Sequence, residues 1–143
     1  MSAIKEWEQS GAAAPQSTAP VQVAVIIKPA DAISSHVSLL ERLERGEYPQ
    51  LRQIVFLAHA APLTQRVPAS EELSGVAQLA QRYQALAAAR GLKLLVCGQA
   101  AEHYGLRSAA ARAAGVELTG FMELAALLEQ EEVRAGRAQV LIW

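Results

Sequence analysis

Apolar residues along this chain form short β-branched runs, separated by longer segments in which they recur at helical spacing. The first run, Val21 to Ile27 (VQVAVII), has the character of a strand buried on both faces, and Pro29 stops it. From Asp31 to about Arg45, Val37, Leu40 and Leu43 stand near helical spacing, with Gly46 as the end signal. His36 reads as a surface residue of that helix. A second strand is expected over Gln53 to Ala58 (QIVFLA), followed by a loop from His59 to Ala69 that holds Pro62 and Pro68. Ser70 then caps a long helix, with Glu71 and Glu72 in its first turn. Leu73, Val76, Leu79, Tyr83 and Leu86 form its buried stripe, and Gly91 closes it.

The third strand is Leu92 to Cys97 (LKLLVC), with Gly98 opening a turn into a short helix. After Gly105, the stretch RSAAARAA reads as helical, and Val116 to Leu118 as extended. Thr119 is placed to cap a helix from Gly120 to Glu132, and the last strand is Ala138 to Trp143 (AQVLIW). Strands alternating with helices predict a single three-layer α/β/α domain with a mainly parallel sheet of about five strands. That domain spans residues 21–143. Residues 1–20, rich in Ala, Ser, Pro and Gln, read as a mobile tail. No internal repeat is present. Folds of this class place their sites beyond the carboxyl ends of the strands, where Lys28, His59 and Cys97 fall.

Composition narrows the function. With 52% apolar and 19% charged residues over 143 positions, one packed domain is expected. Thirteen basic against fourteen acidic residues leave a net charge of -1, which argues against a direct nucleic-acid partner. No run approaches the roughly 20 apolar residues of a membrane span, and the N-terminus lacks an apolar secretory core. The single cysteine excludes an intrachain disulfide and a cysteine-only metal cluster, and a reducing cytoplasm is its expected setting. Lys28-Pro29-Ala30-Asp31 follows the first strand where a nucleotide site would carry its Gly-rich phosphate loop. No two histidines have metal-ligand spacing. Neither cofactor nor metal is therefore expected. Glu129, Glu131 and Glu132 read as a solvated helix end, and Trp143 as a core or subunit contact.

Cys97 closes a strand directly before a helix, where backbone N–H groups favour an anion. The thiolate, not the thiol, attacks sulfur electrophiles. Gly98 is expected to let the backbone turn and leave the sulfur accessible. Free cysteine is also among the most buried residue types and often only fills space, so position alone leaves both readings open. Thioredoxin-like cycling needs a second cysteine, whereas sulfur carriage needs only one thiol. His59 and Lys28 are the candidates to support the thiolate. His103, in the second turn of the following helix, need not face the sulfur.

The second half of the chain resembles the DsrE/TusD family of small sulfur-transfer proteins. Tyr83 to Cys97 (YQALAAARGLKLLVC) matches the family pattern of an aromatic residue and Gln on a helix, Gly before a strand, and Cys at its end. Ala100 and Ala101 fit the small residues after that cysteine. Val116 to Leu124 (VELTGFMEL) is similar to the family's apolar-x-Leu-Ser-Gly-apolar-x-x-Leu segment, and Arg137 to Trp143 to its closing strand. The chain departs from the pattern at Lys28-Pro29-Ala30, where relatives carry glycine and small polar residues. It departs again at Tyr104, where they often carry a basic residue before glycine. The resemblance implies a sulfurtransferase whose cysteine takes sulfur from a donor persulfide and passes it to another carrier. The pathway would be tRNA thiolation or cytoplasmic sulfur oxidation. It also implies donor and acceptor proteins as partners, and a homo- or hetero-oligomer. A non-catalytic interaction subunit of a sulfur-transfer complex is the alternative, and a small nucleotide-binding domain has only the fold behind it.

Overall fold

The computed structural model describes residues 20–68, 73–120, 136 and 138–143. Five strands, β1 (Val21–Ile26), β2 (Leu51–Phe56), β3 (Lys93–Cys97), β4 (Glu117–Thr119) and β5 (Ala138–Ile142), form one sheet in the order β4-β3-β2-β1-β5. Every pairing is parallel. The helices are α1 (Ile33–Glu44), α2 (Gly75–Arg90) and the short α3 (Gly98–His103), and Ala58–Thr64 forms a 3-10 helical segment after β2. The result is the single parallel α/β domain that the alternating pattern predicts.

The central strands β1, β2 and β3 bury apolar residues on both sides because both faces of the sheet are covered there. On one face, Ala24, Ile26, Ile54, Phe56, Leu94 and Val96 pack beneath α1 and α2, which contribute Leu39, Leu40, Leu43, Leu79, Tyr83 and Leu86. On the other, Val23, Val55 and Leu95 are completely buried. Among the described residues Tyr83 is the largest fully buried side chain, and its ring meets that of Phe56 edge-on with centroids 5.2 Å apart.

Four local expectations are corrected. The long helix starts at Gly75 with Ser74 as its N-cap, whose hydroxyl accepts from the Ala77 N–H at 3.2 Å; Leu73 precedes it. The expected cap Ser70, with Glu71 and Glu72, lies outside the described residues, as do residues 121–132 of the expected C-terminal helix, Glu129, Glu131, Glu132 and Arg137. The segment after the second strand is a 3-10 helix rather than a loop. The stretch RSAAARAA is not helical but a series of turns. The Arg112 guanidinium holds it by donating to the carbonyls of Leu106, Arg107 and Val116, and Gln65 pairs with Arg112 in a short antiparallel bridge. The eight residues from Arg107 to Ala114 are too few for helix propensity to prevail over these tertiary bonds.

His36 is the fourth. It is 1% exposed rather than a surface residue, and it lies on the same face of α1 as Leu40 and Leu43. Nε2 lies 2.9 Å from the Pro29 carbonyl and 3.2 Å from that of Lys28, and Nδ1 lies 2.8 Å from the Tyr83 hydroxyl. Carbonyl oxygens only accept, so Nε2 carries the proton. Burial pushes the Tyr83 phenol well above its usual range, so it stays protonated and donates to Nδ1. This inner relay of bonds fixes the loop that leaves β1 toward α1.

Candidate functional site at the strand ends

All strands run the same way, so their carboxyl ends meet along one rim, which carries Lys28, His59 and Cys97. Cys97 ends β3 beside Thr119 of β4 and is the N-cap residue of α3, making no side-chain capping bond. It is 8% exposed, among the core residues that include Ala100 and Ala101 of α3. The accessible sulfur expected from Gly98 is therefore not what is found. Gly98 does not need to be glycine either: a Cβ there would meet the Thr119 carbonyl oxygen at 3.8 Å, an ordinary contact.

His59 sits on the 3-10 segment, which packs against both β3 and α3. The chain enters that segment through Ala58, whose φ of 51° lies in the left-handed region that non-glycine residues seldom adopt. His59 is then tied on two sides. Its carbonyl accepts from the Ala30 N–H at 2.9 Å, joining it to the loop after β1, and its Nδ1 is hydrogen-bonded to the Tyr104 hydroxyl at the end of α3. Exposed His103 completes an aromatic group with exposed His59 and half-buried Tyr104, its ring centroid 4.8 Å from that of Tyr104 and 6.4 Å from that of His59. These side chains flank a cleft of about 430 Å³ lined by Pro29, Ala30, Asp31, His59, Pro62 and Tyr104, together with Val76.

Lys28 is exposed at the end of β1, its N–H bonded to the Trp143 carbonyl at 3.2 Å. Two strand spacings, roughly 10 Å, separate β1 from β3, whereas the segment that carries His59 packs directly on β3. Trp143 packs edge-on against Tyr48, with centroids 5.3 Å apart, at the border of the core. Among the described residues, no group of three His, Cys, Asp or Glu side chains is placed to hold a metal ion, and no helix is long and apolar enough to cross a membrane.

Two features of this rim escape the sequence. Tyr104 is legible only as a departure from a family pattern, and nothing local announces that its hydroxyl reaches a histidine 45 positions earlier. His36 did carry a signal, because it precedes Leu40 by one helical turn.

The sequence matches the DsrE/DsrF-like family over residues 15–133, most of its length. The chain belongs to the DsrE/DsrF-like family. Members of this family generally serve in sulfur relay. No curated protein matches the sequence. Among solved structures, the crystal structure of the YchN protein from E. coli is similar to it, with a TM-score of 0.56 and 16% identity over 85% of this chain and 98% of that one. At that identity the likeness concerns the fold.

Proposed function

We propose that this chain is a sulfurtransferase of the relay type, carrying sulfane sulfur as a persulfide on Cys97 in the cytoplasm. The observation that carries this reading is the place of the sole cysteine: the end of β3, at the N-cap of α3, in a chain of a sulfur-relay family. The Cys97 thiolate attacks the terminal sulfur of a donor persulfide. A new S–S bond forms at Cys97 as the donor's S–S bond breaks, and the donor leaves as a thiolate with no net oxidation. The reverse role, toward an acceptor thiol, hands the sulfur on in tRNA thiolation or sulfur oxidation. Donor and acceptor proteins are the partners, with the chain working in a homo- or hetero-oligomer.

The test is loading. After incubation with a cysteine desulfurase and cysteine, intact mass should show one added sulfur on the wild type and none on Cys97→Ser. An adduct equal in both, or absent from both, removes the proposal.

One observation favours a second reading. At 8% exposure Cys97 has the burial of a space-filling thiol, as a non-catalytic interaction subunit would tolerate. Its alkylation rate separates the two. A relay cysteine reacts readily in the folded protein, whereas a filler thiol reacts only as fast as the chain opens.

A further inference from the structure

His59 is the hub of the rim, and its two ring nitrogens have unequal surroundings. Nδ1 is bonded to the Tyr104 hydroxyl, while Nε2 has no hydrogen-bond partner among the described residues. A phenol is the stronger donor of this pair, so Tyr104 donates to Nδ1 and the ring proton resides on Nε2. His59 lines the cleft, and the 3-10 segment that carries it packs on β3 and α3, the elements that meet at Cys97. The left-handed backbone at Ala58 sets the direction of this segment, a strained residue directly before the histidine.

We propose that Tyr104 is a positioning residue: it holds His59 as the Nε2–H tautomer and so offers the cleft an N–H donor for anionic sulfur, the thiolate or persulfide of an incoming donor. This rests on the relay reading for its substrate class, but the donor geometry is testable without it. Asp31 lines the same cleft and opposes an anion there, and His103 lies beside both rings, so the donor acts against one carboxylate and next to one further imidazole.

Two measurements decide it. Imidazole nitrogen NMR of the wild type should show His59 with its proton on Nε2, and Tyr104→Phe should return it toward the tautomer mixture of a free side chain. Alkylation of Cys97 by iodoacetate, an anion, is then compared with alkylation by neutral iodoacetamide. Changes in access affect both reagents alike, so their rate ratio isolates the donor. The ratio should fall roughly threefold to tenfold in Tyr104→Phe and His59→Asn. His59→Gln should keep it, because its amide reaches the Nε2 position. An Nδ1–H tautomer in the wild type, or a ratio unmoved by Tyr104→Phe and His59→Asn, overturns the inference. A ratio that responds in a protein that never accepts persulfide sinks the relay reading alone.

Discussion

Two histidine–tyrosine pairs stand at the same end of this sheet, and they differ in little except water. His36 and Tyr83 are 1% and 0% exposed, on the facing sides of α1 and α2. His59 and Tyr104 join the 3-10 segment to α3 at the surface. The inner pair satisfies every polar atom it brings into the core, since imidazole, phenol and the carbonyls of Lys28 and Pro29 bond to one another. Such a pair is structure: its loss strands buried donors and acceptors. The outer pair can exchange any of its bonds for water. What it retains is a chosen tautomer and a fixed place on the rim. Burial turns the same two side chains into a strut, and exposure leaves them free for chemistry.

The strongest way to break this comparison is to remove the inner ring. Tyr83→Ala deletes a large, fully buried side chain, the edge-on contact to Phe56 and the partner of His36 Nδ1. A loss of about 3–5 kcal/mol is expected in denaturant unfolding. A loss under about 1 kcal/mol would mean that the core closes over the cavity and that the inner pair is dispensable.

Tyr83→Phe is gentler and adds a signature in pH. The ring stays, but Nδ1 of His36 loses its donor inside the core, at a cost of about 1–3 kcal/mol at neutral pH. In the unfolded chain a tyrosine ionises near pH 10, whereas burial holds the native Tyr83 phenol well above that. Above pH 10 the unfolded state has shed this proton and the folded state keeps it, so the contribution is full below that pH and lost as pH rises. The advantage of wild type over Tyr83→Phe should therefore shrink above pH 10, by up to about 1.4 kcal/mol per pH unit. Stability curves for the two proteins that stay parallel from pH 8 to 11 would show that the phenol is not shielded.

The contrast between the pairs also explains what was legible beforehand. The strands were readable because short apolar runs such as VQVAVI and KLLVC, bounded by Gly and Pro, suit a sheet covered on both faces. The parallel orientation followed from alternation, and the rim with Lys28, His59 and Cys97 followed from the orientation, whereas the strand order came only with the structure. Contacts between distant polar groups were not readable. Helical spacing alone puts His36 one turn before Leu40, yet a histidine there suggests the surface until Tyr83, 47 positions on, supplies a partner. Arg112 overrode helix propensity in RSAAARAA by the same kind of bond, to carbonyls its local sequence does not single out. The burial of Cys97 is likewise tertiary, since a cysteine at a strand end looks identical in sequence whether its sulfur is covered or open.

The smallest expected effect is the sharpest test of the comparison. Tyr104→Phe removes one hydroxyl from an exposed hydrogen bond, and water can take its place at His59 Nδ1. Its cost in stability should stay within about 0.5 kcal/mol, a shift of about 2 °C or less in Tm. The same one-atom change thus separates the pairs: in the core it costs stability and alters the alkaline limb, while on the rim it costs almost nothing. Thermal unfolding of the two phenylalanine variants side by side measures this directly. Should Tyr104→Phe destabilise as much as Tyr83→Phe, the outer bond is a second strut tying α3 to the 3-10 segment. A Tyr104→Phe protein as stable as wild type leaves the hydroxyl with no structural duty, and the His59 tautomer becomes the remaining reason for a tyrosine at that position.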